Sequence, residues 1–261
     1  MRRWKRLESL VVYTPNERER IRNALLAAAH ADKRVTGAAL TGSAARGAED
    51  EWSDIDLAFG IGDSALLRET LEDWTNRMYR EHGALHHVDV VLGATIYRVF
   101  LLPGTLQVDL AFSPASEFGA LGPSFRLLFG AAVQRPHLPP PTAAQLIGLG
   151  WLHALHARSC IQRGRRWQAE YMISGVRDHA LALGSLRHGL PAVYGRGMDQ
   201  LPPDVTSPFE GALVRSLDTD ELRRAFAVAI DGLRSEIRHA DPVLAARLDG
   251  PLTELAKAAT L

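Results

Sequence analysis

A proline-rich stretch, RPHLPPP at residues 135–141, separates two parts of the chain that have different patterns. Consecutive prolines favour an extended linker, because proline fixes φ and cannot continue a helix or a central strand. Before this stretch, short runs of alternating apolar and polar residues predict strands, whereas after it the apolar spacing is helical. The sequence therefore predicts an α+β protein, with a mixed-sheet domain over residues 1–135 and a helical bundle over residues 142–261.

The first part alternates between helical and strand-like segments. A Pro-Gly pair at residues 103–104 predicts a hairpin between the last two strands. The order of elements predicts a βαβ-like start followed by a meander, with the helices on one side of the sheet. The predicted elements are two helices and five strands: helices 16–31 and 64–82, and strands 38–41, 54–59, 87–92, 97–102 and 106–112.

The second part is helical by its spacing of apolar residues. One segment, residues 189–208, is rich in glycine and proline and predicts a long loop. The predicted helices span residues 142–163, 167–188, 219–238 and 242–257.

The charge of the chain is balanced, with 30 lysines and arginines against 30 aspartates and glutamates. Proteins that follow a phosphate backbone usually carry a basic surplus, so this balance argues against a nucleic-acid partner. The single cysteine, Cys160, excludes an intrachain disulfide and indicates a reducing compartment. The start of the chain, MRRWKRLESLVVY, lacks the apolar core of a secretory signal, and no apolar run reaches the roughly 18 residues of a membrane span. We therefore expect a cytoplasmic protein without a membrane partner.

The strand at residues 54–59 (DIDLAF) alternates carboxylate and apolar side chains. Because successive side chains of a strand point to opposite faces, Asp54 and Asp56 share one face and lie about 6.5–7 Å apart along the strand. Two like charges on one face raise each other's pKa unless a cation bridges them. Oxygen ligands favour a hard ion, Mg²⁺ above all where phosphate is near.

The strand at residues 106–112 (LQVDLAF) repeats this alternation and places Asp109 on a polar face with Gln107 and Ala111. If the two strands are neighbours, Asp109 joins Asp54 and Asp56. Three carboxylates on one sheet face can hold two divalent ions about 3.5–4 Å apart, which is the arrangement for in-line phosphoryl chemistry.

A turn of small residues precedes these carboxylates. Gly42 lets the backbone approach a ligand closely, and Ser43 can add a hydroxyl. The residues that follow can offer backbone N–H groups to phosphate oxygens, and Arg46 can neutralise a polyphosphate. The turn and the carboxylates together predict a site for a metal-bound nucleotide.

Three motifs, LTGS at residues 40–43, DID at 54–56 and VDL at 108–110, together resemble the nucleotidyltransferase superfamily that includes DNA polymerase beta. Their combination with a proline-linked helical bundle resembles the small-molecule members, the aminoglycoside and lincosamide nucleotidyltransferases such as kanamycin nucleotidyltransferase. The motifs lie within residues 38–112, whereas over residues 142–261 the resemblance is one of architecture alone.

The resemblance implies an enzyme that binds an Mg²⁺-bound nucleoside triphosphate and transfers its nucleoside monophosphate to an acceptor hydroxyl, with release of pyrophosphate. By family habit the donor is ATP, which makes the enzyme an adenylyltransferase. Asp54, Asp56 and Asp109 would hold two Mg²⁺ ions, and Ser43 would touch the nucleotide phosphates. The acceptor, a small molecule such as an aminoglycoside, would lie between the domains, and antibiotic resistance would be the biological role.

The identity of the general base stays open at this stage. Relatives similar to kanamycin nucleotidyltransferase take a carboxylate from the helical half, and Glu170 is the best candidate there. Asp109 could accept the proton instead. If Asp89 shares the polar face, it could also be the base or contact an amine of the acceptor. Related transferases also place a basic residue of this half on the triphosphate, which suggests Arg196, although a glutamate in a first helical turn and a loop arginine are also common without function.

Two other functions stay open as alternatives. One is nucleotidylation of a macromolecule, either tRNA or a protein, as a toxin would carry out. The other is a nucleotide-binding module without catalysis, although the full set of three aspartates argues against loss of activity. The sequence leaves the acceptor, the base of the donor and the oligomeric state, including a homodimer, undecided.

Overall fold

The computed structural model describes residues 13–258, which divide into two compact units, one ending at Leu138 and one beginning at Pro139. This division falls inside the proline-rich stretch. The first 12 residues of the chain, which we do not expect to be a secretory signal, lie outside the described residues. Among residues 13–258, no helix combines the length and the apolar character needed to cross a membrane.

The first unit contains a six-stranded sheet with the strand order β3-β4-β5-β2-β1-β6. Strands β2 and β5 run parallel, and the other neighbouring pairs are antiparallel. The predicted α+β class, a mixed sheet followed by a helical region, is confirmed. The strands are β1 (Val35–Thr41), β2 (Ile55–Ile61), β3 (His86–Leu92), β4 (Thr95–Leu101), β5 (Gln107–Pro114) and β6 (Phe125–Gly130).

Two long helices of this unit, α1 (Pro15–Ala31) and α3 (Leu67–Glu81), pack against one face of the sheet. Helix α1 begins in a capping box, in which Thr14 and the residue three positions later satisfy each other's backbone N–H groups. Their apolar side chains meet the inward residues of β2 and β5, which form one buried cluster with Trp74. The opposite face of the sheet is thereby left for polar and small residues.

Strand β6 is absent from the sequence-based prediction. It pairs with β1 and forms one edge of the sheet, and most of its six residues are exposed. An edge strand that is exposed on both faces carries no clean alternation, so periodicity does not reveal it.

The second unit consists of packed helices around one apolar core. The prediction of a continuous loop over residues 189–208 is wrong in its last part, because a helix starts at Pro203, where the missing N–H of proline costs nothing. Composition alone hides this helix, since it also contains Pro208. The helices are α4 (Ala143–Gln162), α5 (Arg166–Arg187), α6 (Pro203–Glu210), α7 (Thr219–Ala240) and α8 (Pro242–Ala258), and α2 (Gly42–Ala45) is the short remaining helix of the first unit.

Candidate functional site

Three aspartates converge on the sheet face that α1 and α3 leave uncovered. Asp56 of β2 stands in parallel register with Asp109 of β5, and Asp54 immediately precedes β2. Each of the three offers a carboxylate oxygen, and these oxygens lie within 4.8 Å of one another. All three side chains are half-buried. A compact set of oxygen-only ligands suits a hard divalent cation such as Mg²⁺.

Gln107 holds two of these carboxylates together. Its side-chain amide donates to Asp109 Oδ1 and Oδ2 at 3.0 and 3.2 Å and to Asp54 Oδ2 at 3.4 Å. Sequence reasoning placed Gln107 on the right face but gave it no role. The signal was its position two residues before Asp109 on the same strand face.

The environment of Asp109 disfavours its charged form. The pKa of Asp109 is raised to about 6, mainly by burial and in addition by the negative charge of Asp54, while the hydrogen bond from Gln107 acts in the opposite direction. A cation bound between the carboxylates would reverse this tendency, because it stabilises the ionised form. The electrostatics of the site therefore favour metal binding.

Gly42 touches the aspartate cluster directly. Its φ is +60°, and a Cβ atom at this position would lie 1.9 Å from Asp56 Oδ2. Glycine is therefore required here both by the backbone conformation and by the close approach of the carboxylate.

The next residue, Ser43, has a buried hydroxyl oxygen that lacks a hydrogen-bond partner among the described residues. A buried hydroxyl without a partner is costly, which is consistent with a ligand oxygen that completes the site. Arg46 ends the short helix α2 and is exposed.

A buried arginine supports the loop that leads into Asp54. Arg18, on α1, is 3% exposed, and its guanidinium donates to the backbone carbonyls of Tyr13 and Glu51, at 2.8 and 2.9 Å, and of Asp50. Sequence analysis missed this residue, because an arginine on an amphipathic helix is usually exposed to solvent.

The condition under which Asp89 could act as the base, namely that it shares the polar face, is not met. Asp89 of β3 pairs with Arg98 of β4, whereas the next residue of β4, Val99, pairs with Asp109. Asp89 therefore points to the opposite face, where Arg98 also donates to Thr75 of α3. Arg98 binds both Asp89 oxygens at 2.6 Å and lowers the pKa of that carboxyl. A carboxylate held in this way is a weak base, and it faces away from the aspartate cluster.

Two further candidates lie in the second unit. Glu170 is half-buried on α5 and accepts a hydrogen bond of 2.9 Å from the hydroxyl of Ser174. Arg196 is exposed, and its guanidinium lies 5.6 Å from the ring centroid of Tyr194. These contacts lie within the second unit, so the role of Glu170 as general base and that of Arg196 in binding the triphosphate stay predictions.

Replacement of Asp109 by asparagine should stabilise the metal-free protein above pH 6. Below about pH 4 the carboxyl is protonated in both folded and unfolded chains. Between pH 4 and 6 the unfolded chain has lost this proton while the folded chain retains it, so the free energy of unfolding falls as pH rises. An asparagine side chain at this position cannot ionise and escapes this loss.

The measurement is thermal unfolding without divalent ions at pH 4, 5, 6 and 7.5. The stability gained by Asp109→Asn should grow from pH 4 to about 6 and then level off. Asp220→Asn is the control, because Asp220 is 97% exposed and should show no such trend. A gain in stability that is constant across the pH range would contradict a raised pKa of the Asp109 carboxyl.

The comparisons with known proteins agree with the geometry of the first unit. Residues 18–107 match the family model of the nucleotidyltransferase domain. The matched range includes Gly42, Asp54 and Asp56 and ends two residues before Asp109. No curated protein matches the chain by sequence.

Among solved structures, an aminoglycoside 6-adenyltransferase from Bacillus subtilis is similar to this chain at 13% sequence identity and a TM-score of 0.40. The match covers 95% of this chain and 99% of that chain. At this TM-score the likeness supports no conclusion about fold or function. The family match confirms the resemblance found in the sequence motifs, because residues 18–107 of this chain form a nucleotidyltransferase domain.

Proposed function

We propose that the protein transfers AMP from ATP to a hydroxyl group of a small molecule and releases pyrophosphate. The observation that supports this most strongly is the convergence of three carboxylates, Asp54, Asp56 and Asp109, beside the glycine-serine turn. The sequence motifs resemble those of aminoglycoside and lincosamide nucleotidyltransferases, so an antibiotic of one of these classes is the proposed acceptor, and resistance to it is the proposed role.

In the proposed reaction, the acceptor oxygen forms a bond to the α-phosphorus of ATP. The bond between this phosphorus and the bridging oxygen of the β-phosphate breaks, and pyrophosphate leaves with the electron pair. The proton of the acceptor hydroxyl passes to a basic side chain. Two Mg²⁺ ions bound at the three aspartates would neutralise charge on the triphosphate and lower the pKa of the hydroxyl.

The chain's own residues would position these groups. Asp54 and Asp56 would hold the metal-bound triphosphate, and the backbone of Gly42 would lie close to it. The buried hydroxyl of Ser43 would donate to a phosphate oxygen, and Arg46 would add positive charge at the outer phosphates. Arg196 of the second unit is proposed as a further cation for the triphosphate.

Replacement of Ser43 by alanine should weaken binding of ATP without abolishing transfer. A single hydrogen bond to a charged phosphate contributes about 1.5–3 kcal/mol, so we expect KM for ATP to rise by about tenfold or more. Steady-state kinetics with varied ATP would measure this. Because the hydroxyl has no partner among the described residues, thermal stability should change little, and a large loss of stability would assign Ser43 a structural role instead.

The general base is either Glu170 or Asp109, since Asp89 faces the other side of the sheet. Asp109 belongs to the proposed metal site, where a bound cation would reduce its basicity. We therefore propose Glu170, in agreement with the pattern of similar antibiotic-modifying relatives. Its hydrogen bond from Ser174 would orient the carboxylate.

Replacement of Glu170 by glutamine should lower kcat by about 100-fold or more, since general-base catalysis contributes about 10²–10⁴-fold, and should leave KM for ATP nearly unchanged. Ser174→Ala is the matched variant, because it removes the orienting hydrogen bond but keeps the carboxylate. Ser174→Ala should lower kcat by a smaller factor than Glu170→Gln does. If Glu170→Gln retains wild-type kcat, the base must be sought at Asp109.

The transfer assay described below also tests two alternative functions. The acceptor could be a macromolecule, although the balanced charge of the chain argues against tRNA. Nucleotide binding without transfer is the other, and the complete aspartate set argues against it. A cytoplasmic location stays a prediction from the single cysteine, and the oligomeric state stays open.

The first experiment is pyrophosphate release from Mg²⁺-ATP, with the other three nucleoside triphosphates in parallel. Each is assayed with aminoglycosides, with lincosamides and without acceptor. Release with one antibiotic class identifies donor and acceptor together. Nucleotide binding without release under any of these conditions would overturn the small-molecule proposal and direct the search to protein or RNA acceptors.

A further inference from the structure

A cavity of about 160 Å³ lies on the aspartate-bearing face of the sheet, within the first unit. Its floor contains Ala58 of β2 and Ala111 of β5, which stand in register with each other. Each alanine follows an aspartate of the cluster by two residues on its own strand. Strand geometry therefore places the Cα atom of each alanine about 6.5–7 Å from the Cα atom of the aspartate that precedes it.

The position of the cavity ties it to the proposed phosphate site. Thr41 lines the cavity and immediately precedes Gly42, where an added Cβ atom would lie 1.9 Å from the carboxylate of Asp56. A ligand whose phosphates lie at Gly42 thus has the cavity beside it on the same sheet face. None of the residues given a role in the proposed reaction lines this cavity.

Glycines under Phe118 let its ring close one side of the cavity. A Cβ atom on Gly37 or Gly60 would lie 2.7 or 2.8 Å from this ring, so the ring rests directly on the sheet. Phe118 is 1% exposed and packs on Ala58 and Ala111. The small residues of the floor therefore leave a shallow space bounded by an aromatic wall.

The remaining walls are aromatic, hydroxylic and cationic. Tyr97 pairs with Ala111 and therefore points to the same face, and burial raises the pKa of its phenol. Phe125 forms another wall, and Arg135 brings a guanidinium held by the backbone carbonyl of Glu117 at 2.7 Å and by its carboxylate at 3.4 Å. Among the described residues, those that line the cavity include no aspartate or glutamate.

This lining matches the base of a nucleotide better than it matches an aminoglycoside. An aminoglycoside carries several ammonium groups, and none of the side chains that line the cavity is a carboxylate that could pair with them. A planar heteroaromatic ring gains aromatic contacts with Tyr97 or Phe125 and offers ring acceptor atoms to hydroxyls and to Arg135. The volume is below the roughly 300–1,000 Å³ of sites for drug-sized ligands, so it suits one ring system.

We propose that this cavity receives the nucleobase of the donor nucleotide. The proposal rests on the proposed function, because it assumes a nucleoside triphosphate at the aspartates. It assigns Tyr97, Phe125 and Arg135 to recognition of the donor base.

The test compares two unreactive ligands in the presence of Mg²⁺, the α,β-methylene analogue of ATP and inorganic tripolyphosphate. Both carry the phosphate chain, but only the first carries a base. Calorimetric titration measures both dissociation constants for the wild-type protein, for Ala111→Leu and for Tyr97→Leu. The first variant fills the floor, and the second removes an aromatic wall without adding volume. Ala27→Leu, at an exposed position of α1, is the matched control, and thermal unfolding checks that each variant folds.

We expect the wild-type protein to bind the ATP analogue more tightly than tripolyphosphate. Both cavity variants should weaken binding of the analogue by about tenfold, a factor within the range of one base–aromatic contact, and leave tripolyphosphate within twofold. Equal affinity of the wild-type protein for the two ligands would overturn the proposal. Equal loss for both ligands, or no loss for either, would also overturn it.

An acceptor in the cavity is distinguished by kinetics. In that case the variants would raise KM for the acceptor and leave binding of the ATP analogue unchanged, which overturns the proposal. The binding test needs no turnover, so its result is separate from that of the transfer assay. Suppose that the variants selectively lose binding of the ATP analogue but the protein shows no transferase activity. This result would support the cavity as the site of the nucleobase and would overturn the proposed function.

Discussion

Replacement of Asp54 by alanine should reduce pyrophosphate release by at least about 1,000-fold. Asp54 supplies one of three oxygens that lie within 4.8 Å of one another, and two carboxylates cannot replace it as ligands for two divalent ions. Loss of a single charge-stabilising group in an active site costs about 10²–10³-fold, and loss of a direct metal ligand should cost at least as much. Gln107 would also lose one of its acceptors.

The measurement is kcat for pyrophosphate release with the acceptor found in the first experiment, at several Mg²⁺ concentrations. Asp220→Ala removes a carboxylate that is 97% exposed, and it should leave kcat unchanged. Excess Mg²⁺ should not restore Asp54→Ala. Turnover near the wild-type level in this variant would contradict the assignment of the aspartates as metal ligands.

Replacement of Gly42 by alanine should lower kcat by about 100-fold and also destabilise the fold. The new Cβ would lie 1.9 Å from Asp56 Oδ2, so either the turn or the carboxylate must move. A displacement of about 1 Å in a catalytic group costs about 10²-fold in rate. The φ of +60° adds a strain of about 1–2 kcal/mol for any residue with a Cβ.

Gly93→Ala separates the two effects. Gly93 has a φ of +61° in the turn between β3 and β4, and nothing lies within 4 Å of the position of its Cβ. This variant should lose only the stability that the backbone strain costs, about 1–2 kcal/mol, and should retain full activity. Kinetics and thermal unfolding of both variants would measure the difference. Equal activity losses would mean that the contact with Asp56 has no special importance.

The alternation of residues in two strands was enough to predict the aspartate face. Asp54, Asp56 and Asp109 each stand between apolar residues or at the start of such a run, so their common orientation followed from strand geometry. The one remaining condition was that β2 and β5 are neighbours, and the structure meets it. The turn at Gly42 was recognised by its small residues, but the contact with Asp56 needs coordinates.

Other parts of the site depend on register and tertiary contacts that no local pattern contains. Asp89 stayed open as a base because β3 has apolar residues on both faces, so its sequence does not define which face is which. Arg18 and Arg135 act through backbone carbonyls distant in sequence. Such contacts leave no periodic signal.

The parallel pairing of β2 with β5 also bears on how the protein folds. Asp56 and Asp109 are direct neighbours across two strands, yet β3, β4 and α3 lie between them in the chain. Non-local pairings of this kind form slowly, because the entropy of closing the intervening loop is lost before the contact is gained. During synthesis, a chain whose β5 has not yet left the ribosome can pair β1 with β2, but it has only two of the three carboxylates. We therefore expect the affinity for divalent ions to appear only with the late steps of folding.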